Sequence, residues 1–222
     1  MLKCDFHMHL CQESDNFIRY SYRDLILRCK SLGYDVISIT LHDDVIKKEV
    51  FDYAKKQGIL LMPGCERDID GCHVLLYNFK NPLAVTSFGK LRKAKRNDTL
   101  VVAPHPFFWH GNSLLNQLKN NVELFDAVEI HGMSVLWFNF LARRFAKKYN
   151  LSLIGDSDSH ALWHVGSAYT LIDSKKSVLD IVRAVKLKKS KPVFSFSVFF
   201  FVKCVLFYLV PRLVRASWSK KI

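Results

Sequence analysis

The feature that most constrains this chain is an alternation. Short β-branched or apolar runs are each succeeded by residues able to bind cations, and then by a longer segment of helical period. Runs at 2–6, 35–40, 59–62, 73–79, 100–103, 126–130, 151–154 and 168–172 read as strands, buried on both faces where the apolar run is continuous. Between them, 22–32 places Leu25, Cys29 and Leu32 on one stripe. Segment 134–149 does the same with Trp137, Leu141 and Phe145, leaving Arg143, Arg144, Lys147 and Lys148 to face water. Gly33 and Gly58 stand where helices should stop. This pattern predicts an α/β fold with a mainly parallel sheet, and seven or eight strands suggest a barrel.

The residues just past each strand are the informative part. His7 and His9 come after the first, His42 and Asp43 after the second, and Glu66 after the third. His105 succeeds the fifth, Glu129 and His131 close the sixth, and Asp158 and His160 come after the seventh. In a parallel α/β barrel the C-terminal strand ends converge on one rim, so these residues should face a common pocket. Imidazole and carboxylate suit zinc, manganese or iron, and a carboxylate can bridge two ions. In an extended H-x-H segment, side chains alternate with period two, so His7 and His9 project to the same side. A lone histidine of this kind is more often hydrogen-bonded or solvated. Six such elements, each at a strand end, point instead to a metal centre.

Charge narrows the partners. The chain has 222 residues and a net charge of +13, but nine of its 33 Lys and Arg lie from Lys186 onward, where no acidic residue occurs. The preceding segment carries 24 basic and 20 acidic groups, a poor fit to a body tracking a phosphate backbone. Nucleic acid is therefore not expected as a partner beyond a nucleotide substrate. Six scattered cysteines without a C-x-x-C pair, and an N-terminus lacking a signal-peptide pattern, favour free thiols in a reducing, cytoplasmic compartment.

The series D-F-H-M-H (5–9), I-T-L-H-D (39–43), P-G-C-E (63–66), A-P-H-P (103–106), V-E-I-H (128–131) and S-D-S-H (157–160) resembles the PHP (polymerase and histidinol phosphatase) family of metal-dependent phosphoesterases. The likeness covers about residues 3–190, with the motifs in the family's order. It implies a distorted (β/α)7 barrel holding two to three divalent ions (Mn, Zn or Fe). By resemblance, His7, His9 and Asp158 hold the first ion and Glu66 bridges it to a second on His105 and His131. A third takes His42, His160 and Asp15. Among these, His7, Glu66, His105, Asp158 and His160 would carry the catalysis. Leu41 departs from the family's T-D-H pattern and puts the third site in question. His73, His110 and His164 read as structural or solvated.

The implied activity is hydrolysis of a phosphate ester, a small phosphomonoester or nucleotide, by a metal-activated hydroxide. Arg19 and Arg67 are candidates for holding substrate phosphate. Two other readings stay open: a non-catalytic or regulatory PHP-like barrel, and an amidohydrolase-type hydrolase, since those barrels also open with H-x-H.

Residues 1–190 read as the hydrolase barrel and 191–222 as a basic, hydrophobic tail with an extra C-terminal helix. The run 193–210 contains only Ser195, Ser197 and Lys203 as polar residues and is flanked by basic clusters. Such a segment suits an anionic membrane surface, here the inner face of the membrane. Oligomeric state is not legible.

Overall fold

In the computed structural model, which describes residues 1–10, 18–108, 111–132, 136–194, 197–200 and 202–207, all eight apolar runs form strands. Two further strands join them. Numbered along the chain, the strands are β1 (Leu2–Met8), β2 (Val36–Ile39), β3 (Leu60–Leu61), β4 (Gly64–Ile69), β5 (Cys72–Tyr77), β6 (Leu100–Ala103), β7 (Ala127–His131), β8 (Ser152–Asp156), β9 (Ala168–Ile172) and β10 (Ser190–Phe194). The helices are α1 (Tyr22–Ser31), α2 (Lys48–Lys56), α3 (Phe88–Ala94), α4 (Leu115–Asn120), α5 (Leu136–Lys148) and α6 (Val178–Lys186). Ser21, Ser87 and Ser177 cap α1, α3 and α6 by accepting a backbone N–H from the first turn.

The barrel expectation needs correction. The strands form two five-stranded sheets, β10-β9-β1-β2-β3 and β4-β5-β6-β7-β8, rather than a closed (β/α)7 barrel. Among the described residues four strand pairings are parallel and four antiparallel. The physical reason lies in reversals of strand direction, two of which matter here: a hairpin with no intervening helix, and a return through α6. At Asp70-Gly71 both residues have positive φ (51° and 80°), the conformation of a tight two-residue hairpin whose twist matches its strands. It folds β5 back onto β4 with Asp68 opposite His73. The second reversal returns β10 antiparallel on β9, so residues 191–194 lie in the sheet, with Pro192 tolerated on an edge strand.

The two sheets meet along seams where other groups stand in for a ladder. On one side Asp156 Oδ1 accepts from the Phe6 N–H (2.7 Å) and Asp5 Oδ1 from the Ser157 N–H (3.2 Å), joining β1 to β8. Beyond the strand ends, the His9 N–H reaches the Ser159 carbonyl (3.2 Å). On the other, the Glu66 N–H donates to Leu41 O and the Asp43 N–H to Glu66 O. Gly155 lets β9 and β10 lie across β8: a Cβ there would sit 3.0 Å from the Tyr169 carbonyl and 3.1 Å from Pro192 Cβ.

The space between the sheets is filled by Cys4, Phe6, Val36, Met62, Leu75, Tyr77, Val102, Ile154 and residues of α6. Outer clusters pack α1 and α2 on one sheet and α3 and α4 on the other. One helix is rotated from its expected face. On α5 the buried positions are Asn139, Ala142 and Ala146, while Trp137 is 62% exposed. Small residues at the helix–sheet contact allow close approach, and the large ring turns outward to stack on Phe140.

Candidate metal centre

The local geometry of β1 starts the site. From Asp5 to Met8 the strand takes three residue steps where β2, from Ile37 to Ile39, takes two. This extra residue re-aims the end of the strand. Cys4 and Phe6 enter the inner core, Met8 joins the outer cluster with Ile37 and Ile39, and His7 and His9 both reach into the cup, fully buried.

Glu66 is its centre. Its Oε2 lies 3.2 Å from His7 Nε2, 3.4 Å from His9 Nε2 and 3.3 Å from His42 Nδ1. Its Oε1 lies 2.8 Å from His73 Nδ1 and 3.4 Å from His105 Nε2. One carboxylate thus meets five imidazoles, its two oxygens serving different sets. Asp158 Oδ1 lies 3.1 Å from His9 Nε2 and 3.5 Å from both His7 Nε2 and His160 Nδ1. The His160 ring packs on His9, and His131 lies edge-on to His105. His105 and Asp158 adopt left-handed backbone (φ 27° and 47°), a conformation costing a non-glycine residue about 1–3 kcal/mol and typical of functional sites.

The charges are strongly coupled. Burial opposes the charge on Glu66 and Asp158, yet the surrounding imidazoles, His7 foremost, hold both well below the usual carboxylate range. Burial likewise works against a charged His7, but Glu129, Asp158 and Glu66 together place it well above the ordinary imidazole value. His9 and His131 go the other way, pushed by burial to about 3 and about 4. The cup therefore holds both neutral imidazoles and ionised carboxylates near neutral pH.

This donor set fits divalent cations. His9 Nε2 stands 3.0 Å from His7 Nε2, while His7 Nδ1 donates to Glu129 Oε1 at 2.8 Å. With Nδ1 so engaged, His7 presents its Nε2 lone pair to the cup once that nitrogen gives up its proton, the outer-shell pattern of metal-binding histidines. A cation with bonds of about 2.1 Å sets its donors about 3.0–3.4 Å apart, which is the spacing found. Both ring nitrogens of His131 are buried without a hydrogen-bond partner among the described residues, an arrangement that needs an occupant. Among the described residues four overlapping triads could each hold an ion: His7–His9–Glu66, His7–His105–Asp158, His42–Glu66–His73 and His9–His42–His160.

The structure therefore brings His7, His9, His42, Glu66, His105, Asp158 and His160 together, with His131 beside His105. Asp15 and His110 lie outside the described residues. Arg67 alternates to the opposite face of β4 from Glu66 and pairs with Asp43; Arg19 is exposed. Arg67 thus points away from the cup. Leu41 faces the apolar cluster with Met8 and Ile39, so its side chain takes nothing from the donors around His42.

Three residues hold places that sequence reasoning does not give them. His73 is not merely structural; the hairpin places it on the same face as Glu66, and the Asp70-Gly71 dipeptide is the local signal for that hairpin. Glu129 is the hidden organiser: besides holding His7, its Oε2 accepts from the His105 N–H at 2.7 Å. His164 is fully buried rather than solvated, accepting from the His160 N–H at 3.1 Å.

Comparison with known proteins adds to this geometry. A family model described as PHP-associated matches residues 137–190. No curated protein matches the chain. Among solved structures, a two-domain protein from Bacteroides vulgatus containing a predicted PHP-like metal-dependent phosphoesterase is similar at TM-score 0.63 and 22% identity. The match covers 87% of this chain and 64% of that one, so this chain spans just under two thirds of its length. PsfC from Pseudomonas syringae matches over 98% of both chains at 16% identity and TM-score 0.66. The lesion-specific endonuclease PfuEndoQ from Pyrococcus furiosus matches over 86% of this chain and 57% of its own, at 13% identity and TM-score 0.53. At these identities the likeness is one of fold.

Proposed function

We propose that this chain, which belongs to the PHP family, is a metal-dependent hydrolase of phosphate esters, acting on a small phosphomonoester or a nucleotide. The observation that carries this reading is Glu66, whose two oxygens face separate imidazole sets within 3.4 Å. A carboxylate so placed suits a bridge between two cations.

His7, His9, Glu66 and Asp158 would hold one ion, and His42, His73 and Glu66 another, with His105, His131 and His160 able to complete or extend the cluster. Divalent ions held there lower the pKa of bound water and offset negative charge on a phosphoryl group. The chain's own contribution is preorganisation. Glu129 fixes the ring of His7 and the backbone of His105, and the seams hold β1, β4 and β8 so that their donors share one cup. Imidazoles line the rim and supply hydrogen-bond donors to phosphate oxygens. An ordered donor set of this kind argues against a scaffold that has lost its metal-holding residues.

The test is hydrolysis of an aryl phosphate by protein stripped with chelator and reloaded with Mn, Zn or Fe. Activity should return with metal and be lost in Glu66→Gln and His7→Ala. Bound metal with no hydrolysis of phosphomonoesters, nucleotides or phosphodiesters would overturn the proposal and leave a metal-binding scaffold.

A further inference from the structure

Outside the cup, the feature without an assigned role is the end of the described chain. Residues 198–200 and 202–207 are helical, and their two sides differ in an unusual way. One side is seated on the body. Phe200 and Phe207 pack on the rings of Trp163 and His164, Cys204 is buried, and the Lys203 ammonium sits 4.1 Å over the Trp163 ring. The other side is apolar and bare: Val198, Phe199, Val202 and Leu206 are 67%, 80%, 47% and 54% exposed. At 3.6 residues per turn these four fall on one arc about 100° wide, facing away from the seated residues.

The charges that flank this segment in sequence are of one sign. Lys186, Lys188, Lys189 and Lys191 precede it, Arg212, Arg215, Lys220 and Lys221 come after it, and no acidic residue occurs between 186 and 222. Lys203, the one charge within the segment, is drawn to the body by Trp163 rather than presented on the apolar arc. Among the described residues no helix is long and apolar enough to cross a membrane. An apolar arc on a segment flanked in sequence only by cations complements a surface that is oily beneath and anionic on top. A second copy of this chain would bring the same cations into apposition with their like.

We propose that this helix is an interfacial anchor whose exposed face, Val198, Phe199, Val202 and Leu206, inserts among the headgroups of an anionic lipid surface. The seated face keeps the helix parallel to the body, so binding lies in the interface plane. This inference does not depend on phosphate-ester hydrolysis, and its assay does not read the metal centre.

The full chain is floated with vesicles of phosphatidylcholine alone, and with vesicles of equal parts phosphatidylcholine and phosphatidylglycerol. The Phe199→Ser/Val202→Ser double variant, altered only at exposed positions, is floated beside it, with near-ultraviolet circular dichroism to show an unchanged fold. Binding is expected to the anionic vesicles only, to weaken as salt is raised, and to fall by about tenfold or more in the variant. No binding to anionic vesicles, equal binding to both compositions, or binding unchanged in the variant would overturn the proposal. So would a dimer in solution that the variant converts to monomer without any vesicle binding, which would assign this face to a second copy.

Discussion

Glu129 belongs to none of the proposed metal-holding sets, yet replacing it by glutamine should disarm the cup. Its two oxygens do two different jobs: Oε1 accepts from His7 Nδ1 at 2.8 Å and Oε2 from the His105 N–H at 2.7 Å. Glutamine keeps the shape but has one oxygen and one amide NH2. Whichever way it turns, a donor faces a donor, so one bond is lost. A hydrogen bond to a charged group is worth about 1.5–3 kcal/mol. If the lost bond is that to His7, the ring can recover it only by moving its proton to Nε2, which removes the lone pair from the cup. Metal affinity should therefore fall by about 10–100-fold, as for other outer-shell partners of metal-binding histidines. Competition with a chromogenic chelator measures it.

The pH dependence gives a second check on the same variant. Burial lowers the His7 value, but Glu129 is the foremost influence raising it, and the net result lies well above the ordinary imidazole value. A proton on His7 competes with the cation, so wild-type affinity should decline as pH falls through that raised range. Without the Glu129 charge, His7 gives up its proton at lower pH and the decline should begin later. The deficit of the variant is thus largest at alkaline pH and narrows on acidification. Affinity within about twofold of wild type at alkaline pH, or a decline displaced to higher pH, would refute the reasoning.

Other perturbations test other parts of the structure. His73→Ala removes the nitrogen 2.8 Å from Glu66 Oε1 and should lower the bound metal per chain, read by elemental analysis, while leaving the melting temperature of the stripped protein nearly unchanged. His164→Ala withdraws the acceptor of the His160 N–H and opens a gap under Trp163. Metal held by His160 should weaken by about tenfold, more than metal held by His7, which stepwise chelator extraction separates. Gly155→Ala pushes a methyl against the Tyr169 carbonyl and Pro192; overpacking of this kind costs about 1–3 kcal/mol, measurable by urea denaturation.

Much of the architecture was legible because burial writes itself locally. Each of the eight short apolar runs became a strand, and the residues after those runs supplied most of the cup. The hairpin β4–β5 escaped because Glu66-Arg67-Asp68 interrupts the apolar pattern; the strand is held by pairing with β5 rather than by its own hydrophobicity. Trp137 misled for a related reason. Helical period reveals a stripe but not which neighbouring stripe packs, and the small Ala142 and Ala146 admit closer approach to the sheet than a large ring does. Glu129 was visible as a residue at a strand end, but its service to His7 and His105 is a matter of distances between groups on separate strands.

The sequence by itself determined that imidazoles and carboxylates would cluster at strand ends, since periodicity and residue chemistry are properties of short windows. Which donors meet was decided only in three dimensions. The added residue in β1 turns His7 and His9 inward, the hairpin brings His73 to Glu66, and carboxylates of Asp5 and Asp156 clamp β1 to β8 in place of a ladder. Proximity between residues as distant as His7 and Asp158 depends on strand register and on how two sheets abut, and those are set by the summed packing of the whole chain rather than by any segment of it.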